Sequence, residues 1–114
     1  NKKLILESIK VKHGKINSIM YKINNTCAYV SDVSKIYSKD LKKLKKLKYL
    51  IVDCLRYNPH PSHFNLKNVF ELVDVIKPKK TILTNMNNEI DYREVKKLLP
   101  KSIIPAYDGM SFLI

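Results

Sequence analysis

Apolar positions along this chain recur in two periods, and the switches between them mark its elements. Residues 4–12 alternate in part (Leu4, Leu6, Ile9, Val11), which predicts one or two short strands. Ile16–Ile23 carries Ile16, Ile19, Tyr21 and Ile23 and reads as a further strand, reached through a turn at Gly14. Asn24-Asn25 is a turn signal, and residues 26–30 (Thr-Cys-Ala-Tyr-Val) form the next strand. Ser38 is placed to cap a helix over residues 39–48, with Leu41, Leu44 and Leu47 as a narrow stripe and lysines opposite. Residues 49–52 (Tyr-Leu-Ile-Val) are a continuous apolar run suited to a strand buried on both faces. Asn65 then caps the clearest amphipathic helix, whose Leu66, Val69, Phe70, Val73 and Ile76 share a face before Pro78 stops it. Residues 81–84 read as a strand. Asp91 with Glu94 marks a helix start, with Val95, Leu98 and Leu99 as its apolar face and Pro100 at its end. Residues 103–104 and 111–114 are the last expected strands.

Strands first, then helix and strand in alternation, predict an α/β layer with a mixed sheet and helices on one face. A single domain spans 1–114, with no linker, repeat or low-complexity segment. Polar loops follow three of the strands. One holds Ser31-Asp32, one runs from Asp53 through Pro59-His60-Pro61 to His63, and one is Asn85-Met86-Asn87-Asn88. If those strands are parallel neighbours, the loops meet at the carboxyl edge, where such sheets bind ligands.

Charge changes this picture little. The 22 Lys+Arg against 10 Asp+Glu give a net charge of +12. The excess is nearly all lysine, spread along the chain, without an arginine-rich tract or interleaved aromatics. That predicts weak, salt-sensitive binding to polyanions and no specific nucleic-acid recognition. No apolar run approaches the roughly 18 residues of a membrane span, and no membrane partner is expected. Cys27 and Cys54 lie in strand-like apolar contexts and read as small buried hydrophobes, although spacing alone leaves a disulfide open. A reducing, cytoplasmic location is the expectation. The chain does not begin with methionine, which suggests a fragment or a processed product.

The candidate chemistry is sparse. His13, Asp32, His60 and His63 are residue types that bind divalent metals, yet scattered ligands do not by themselves specify a site. Three segments together are more specific. Val11-Lys12-His13-Gly14 with Ala28-Tyr29-Val30-Ser31-Asp32-Val33-Ser34 is the first, and the second runs from Val52-Asp53-Cys54 to His60-Pro61-Ser62-His63-Phe64. The third runs from Ile82-Leu83-Thr84-Asn85 to Asp91-Tyr92 and closes on Ala106-Tyr107-Asp108-Gly109. In this order they resemble the C-terminal half of a metallo-β-lactamase-fold hydrolase of the phosphoribosyl cyclic phosphate phosphodiesterase branch.

The resemblance implies half of an αββα sandwich and a site for zinc or manganese. His13 corresponds to a histidine ligand, Asp32 to the carboxylate that bridges two metals, and His63 to a proposed proton donor to the leaving oxygen. The chain also departs from the family. Asn85 and Asn88 stand where Thr-His-x-x-His is expected, and the H-x-H-x-D-H motif of the N-terminal half is absent. The implied function is a truncated phosphodiesterase half with a depleted metal site, inactive alone. Two alternatives remain: a split hydrolase completed by a separate N-terminal half (or by a homodimer that imitates it), and a basic nucleic-acid-binding module.

Overall fold

The computed structural model describes residues 3–114. Six strands form one mixed sheet in sequence order: β1 (Leu6–His13), β2 (Ile16–Ile23), β3 (Cys27–Val30), β4 (Tyr49–Asp53), β5 (Lys80–Thr84) and β6 (Ile103–Pro105). The first three pair antiparallel, and β3 through β6 run parallel. The change of sense follows from the connections. Gly14 (φ 64) turns the first hairpin, and Asn24 and Asn25 (φ 50 and 58) turn the second. Both turns need left-handed backbone, which glycine and asparagine adopt at least cost. The later strands are joined by the longer crossovers that parallel pairing requires.

Helix α1 (Leu66–Ile76) is capped as its sequence indicates. Asn65 accepts from the Asn68 backbone, and the Asn68 side chain accepts from the Asn65 backbone, both across 2.9 Å. Lys77 ends it in left-handed conformation (φ 50), one residue before Pro78. Its buried stripe is Leu66, Val69, Leu72 and Ile76. Phe70, expected inside, is partly exposed. Helix α2 (Tyr92–Leu98) starts on the Asp91 side chain, which accepts from the Glu94 backbone. It buries Val95, while Leu98 is exposed rather than part of an apolar face.

Two expected elements differ. The segment after Ser38 is a 3₁₀ helix over Ser38–Leu44, not an α-helix through residue 48, and Ser38 does not cap it. Leu41, Leu44 and Leu47 recur every three residues, which is the 3₁₀ repeat and leaves no i+4 partner. Residues 111–114 form no strand. Phe112 lies on Tyr49 instead, with ring centroids 4.4 Å apart, so the chain end is spent on the sheet's face rather than its edge.

Alternation sorts the strand residues onto two faces. Val11, Met20, Val30, Leu50, Val52 and Leu83 face the helices and form one core with α1 and α2. The opposite face carries the cross-strand row Tyr21, Tyr29, Ile51, Ile82 and Ile104. No helix covers that row, and Tyr21 and Tyr29 are exposed. The expected one-sided α/β layer is thus present. No helix among the described residues is long and apolar enough to cross a membrane.

Candidate metal centre

Because β3, β4 and β5 are parallel neighbours, the loops after them meet at one edge, beside the turn that ends β1. Backbone contacts lock these loops together. The Lys12 N–H donates to the Lys35 carbonyl (3.0 Å), and the Ser34 N–H donates back to the Lys12 carbonyl (2.7 Å). The Gly14 N–H donates to Ser34 Oγ (3.0 Å). Gly14 also allows a close approach: a Cβ there would stand 2.6 Å from Ser62 Oγ. The turn of β1–β2 therefore rests directly on the proline loop. Arg56 holds that loop from within, donating to the carbonyls of Asn58 and Pro59.

His13, Asp32 and His63 converge here. Each offers one ligand atom, and these atoms lie within 4.8 Å of one another. The two rings meet edge to face at 4.8 Å between centroids. His13 Nδ1 lies 2.6 Å from the Ser62 carbonyl, which can only accept, so the proton is on Nδ1 and Nε2 keeps its lone pair. His63 Nδ1 lies 2.6 Å from Asp53 Oδ2, with the same consequence for its Nε2. Asp32, at φ 53, is exposed, and its Oδ1 stands 4.0 Å from His63 Nδ1. A carbonyl or carboxylate fixing the far nitrogen of an imidazole is the arrangement that orients metal-binding histidines. By donor type and tautomer these residues fit a divalent cation.

The residue that organises the site is Asp53, which the sequence marks only as a carboxylate closing an apolar strand. It is fully buried. Its Oδ2 accepts from His63 and from the Val33 N–H (3.3 Å), and its Oδ1 accepts from the Asn85 side chain (3.1 Å). Asp53 thus ties together the loops after β3, β4 and β5. A carboxylate at the end of a buried strand, followed ten residues later by a histidine, is the signal that would have singled it out. The Asn85 amide is committed to Asp53.

His60 lies beside the cluster, its ring 5.2 Å from that of His63. Its Nδ1 accepts from the Ser62 N–H (3.0 Å), so its neutral form carries the proton on Nε2. Burial holds its pKa below the ordinary value, with Arg56 and His63 acting in the same direction and Asp53 against it. The two cysteines are free and buried. Burial pushes the Cys54 thiol up to about 12, helped by the neighbouring Asp53 charge, and raises Cys27 in the same direction.

Known proteins place this geometry. The chain is a partial domain of the metallo-β-lactamase fold: it superposes on the Bacillus subtilis metallo-β-lactamase-fold protein YhfI (TM-score 0.76, 14% identity, 94% of this chain and 48% of that one). Human tRNase Z, short form, gives a TM-score of 0.74 at 13% identity over 96% of this chain and 42% of that one. More specifically, the chain is similar to a diphosphatase from the PhnP family, with a TM-score of 0.93 and 29% identity over 97% of this chain and 44% of that one. Among curated proteins it is 26% identical over 113 residues to an octanoyltransferase of Porphyromonas gingivalis, covering 97% of this chain and 23% of the relative. The chain therefore spans less than half the length of each of these relatives. No family model matches it.

Proposed function

We propose that these residues are the C-terminal half of a metal-dependent phosphodiester hydrolase, with part of the metal site. The observation that supports it most directly is the convergence of His13, Asp32 and His63 on the one sheet edge, with each imidazole fixed through its Nδ1. The similarity to a PhnP-family diphosphatase supports a hydrolase of phosphate-bearing substrates. Because the match to the octanoyltransferase covers 23% of that protein, its name does not extend to this chain.

In this reading His13 and Asp32 hold zinc or manganese. Such a cation supplies Lewis-acid polarisation of a phosphoryl oxygen. His63 keeps its Nδ1–H on Asp53, and in its imidazolium form, with a second proton on Nε2, it is the group that would give that proton to the leaving oxygen. Asp53 is a positioning residue: it touches no solvent and sets the His63 ring through Oδ2. Two metal-holding side chains are few beside the three or four protein ligands usual for zinc, and Asn85 adds none. The 114 residues alone are therefore expected to bind metal weakly and to hydrolyse nothing. Elemental analysis after equilibration with zinc and manganese, followed by an aryl phosphodiester assay, tests this. Metal-dependent turnover by these residues alone would overturn the inactivity.

A split arrangement is favoured by the uncovered sheet face. Ile19, Tyr21 and Tyr29 are 48%, 38% and 41% exposed there, an apolar patch of the kind that marks an interface. We assign its occupant as a complementary half-domain, because the similar solved chains are about twice as long as the matched part. Sedimentation with a hydrophobic dye checks this. A monomer that leaves the dye dark removes the reading, and a stable homodimer replaces it with self-association.

A further inference from the structure

Lysines that lie far apart in the sequence are gathered by the fold. Strands β4, β5 and β6 are parallel neighbours, so the stretches that lead into them meet at the sheet edge opposite the cluster. These are residues 45–48, 77–80 and 100–102. Backbone bonds hold them side by side. The Lys79 N–H donates to the Leu47 carbonyl (3.1 Å), the Lys80 N–H to the Lys48 carbonyl (3.0 Å) and the Thr81 N–H to the Ser102 carbonyl (2.8 Å). Lys46, Lys48, Lys77, Lys79, Lys80 and Lys101 are all exposed. Lys45 is tied back, its Nζ donating to the Val75 carbonyl (2.6 Å) at the end of α1. With Lys46 and Lys77 it lines an open concavity of about 420 Å³. None of the ten carboxylates falls within the three stretches, and Asp74, in the last turn of α1, comes nearest in the chain. Among the described residues none of the six exposed lysines is ion-paired, whereas Lys43 and Lys97 elsewhere are. The other edge is compensated: Lys12, Lys15, Lys35 and Lys67 have Glu71 among them, and Asp32 shares a loop with Lys35.

We propose that this lysine edge docks the sugar–phosphate backbone of a double-stranded nucleic acid, without reading its sequence. Unpaired ammonium groups meet phosphates as point charges and carry no base specificity. Neighbouring strands stand about 4.8 Å apart, so the three stretches cover about 10 Å. A duplex carries one charge per roughly 1.7 Å of its axis, which sets several phosphates opposite that width. A single strand draws on aromatic stacking as well as charge. The three stretches contain no aromatic residue. Tyr49, next in the chain, already has the Phe112 ring at 4.4 Å and Lys48 Nζ 5.5 Å from its centroid. Stable attachment to an anionic membrane takes a second, apolar signal. Here the apolar residues are two prolines and the buried Leu47. The edge is independent of the metal reading, because the cluster lies at the other end of the strands.

The test titrates a short mixed-sequence DNA duplex, with chelator present, at salt concentrations from about 50 to 200 mM. A slope of log K against log salt of about −5 is expected, from six lysines at about −0.9 each. The variant Lys46→Gln/Lys48→Gln/Lys79→Gln/Lys101→Gln is expected to reduce that magnitude by about 3 and to weaken binding about tenfold or more. Its side chains are exposed, so an unchanged melting curve is expected alongside. Lys12→Gln/Lys15→Gln/Lys35→Gln/Lys67→Gln removes the same charge at the other edge and is expected to change the slope by less than about 1. Amide shifts of the unchanged chain, which need no variant, should move at residues 46–48, 77–80 and 101–102. Equal losses in both variants would make net charge the cause and overturn the proposal. So would shifts spread evenly over the surface, or tighter binding of a single strand than of the duplex. Binding to vesicles of phosphatidylserine and phosphatidylcholine, with none to the duplex, would replace it with a membrane surface.

Discussion

Asn85 donates its side-chain amide to Asp53 Oδ1 across 3.1 Å, on the carboxylate oxygen that His63 leaves free. The amide thus has a scaffolding role. A histidine at this position is compatible with the left-handed backbone (φ 59), a conformation in which asparagine, aspartate and histidine are all enriched. Asn85→His is therefore expected to tighten zinc binding about tenfold by adding an imidazole donor. Calorimetric titration against the unchanged chain checks this; no gain would mean that position 85 lies outside the metal's reach.

Asp53 has a larger effect on stability. Asp53→Ala removes a fully buried carboxylate and leaves three donors without their acceptor: the buried Val33 N–H and the side chains of His63 and Asn85. The expected loss is about 2–4 kcal/mol, the range for breaking a buried hydrogen-bonded charge. Urea midpoints measure it. A loss below about 0.5 kcal/mol, the level of a surface substitution, would show that Asp53 is not the tie between the loops.

The proposed roles of ligand and proton donor predict different outcomes within the cluster. His13→Ala and Asp32→Ala are expected to lower zinc affinity about tenfold or more, and His63→Ala less than about threefold. An equal loss in all three variants would make His63 a ligand and withdraw its role as donor.

Gly14→Ala places a methyl where the backbone is left-handed (φ 64) and Ser62 Oγ would be 2.6 Å away. The hydroxyl can rotate aside, but the backbone penalty of about 1–2 kcal/mol remains. A lower melting temperature with displaced His13 ring resonances is the expected outcome. An unchanged melting temperature would show that the turn and the proline loop yield without cost.

Cys54 gives a pH signature. Its folded pKa, about 12, lies above the ordinary 9.0, so the unfolded state releases the proton first as pH rises. The thiol's contribution to stability is fully present below pH 9 and is lost between pH 9 and about 12. The slope is at most about 1.4 kcal/mol per pH unit. Cys54→Ala is expected to flatten stability curves over that range; an unaltered slope would rule this assignment out. The native thiol should also resist alkylation at pH 8 until the chain is unfolded.

Much of the sheet was legible because its signals are local. Turn residues needing positive φ and the reciprocal Asn65–Asn68 cap act within a few positions, and the apolar runs at β4 and β5 declare buried strands. The meeting of three loops followed once those strands were taken as parallel neighbours. Less legible were features whose cause is tertiary. The spacing of Leu41, Leu44 and Leu47 suits a helix of either kind until Lys45 and Lys46 leave it, and the apolar chain end could serve a strand edge or a face. Of the site, His13, Asp32 and His63 carried a motif-level resemblance. Asp53 lay within one of the resembling segments but received no role, because its importance lies in three donors, from positions 33, 63 and 85, of which only the histidine ten residues on leaves a local signal.

The bond from His13 to the Ser62 carbonyl spans 49 positions, and Asp53 bonds residues 20 positions before it and 32 after it. No stretch of the chain shorter than most of its length can hold the cluster in a native arrangement. Occupancy of the cluster is therefore linked to the global unfolding equilibrium and not to a local opening. A ligand held there should slow hydrogen exchange at the slowest core amides of β3, β4 and β5 by one common factor, a signature that a loop-only binder would not leave.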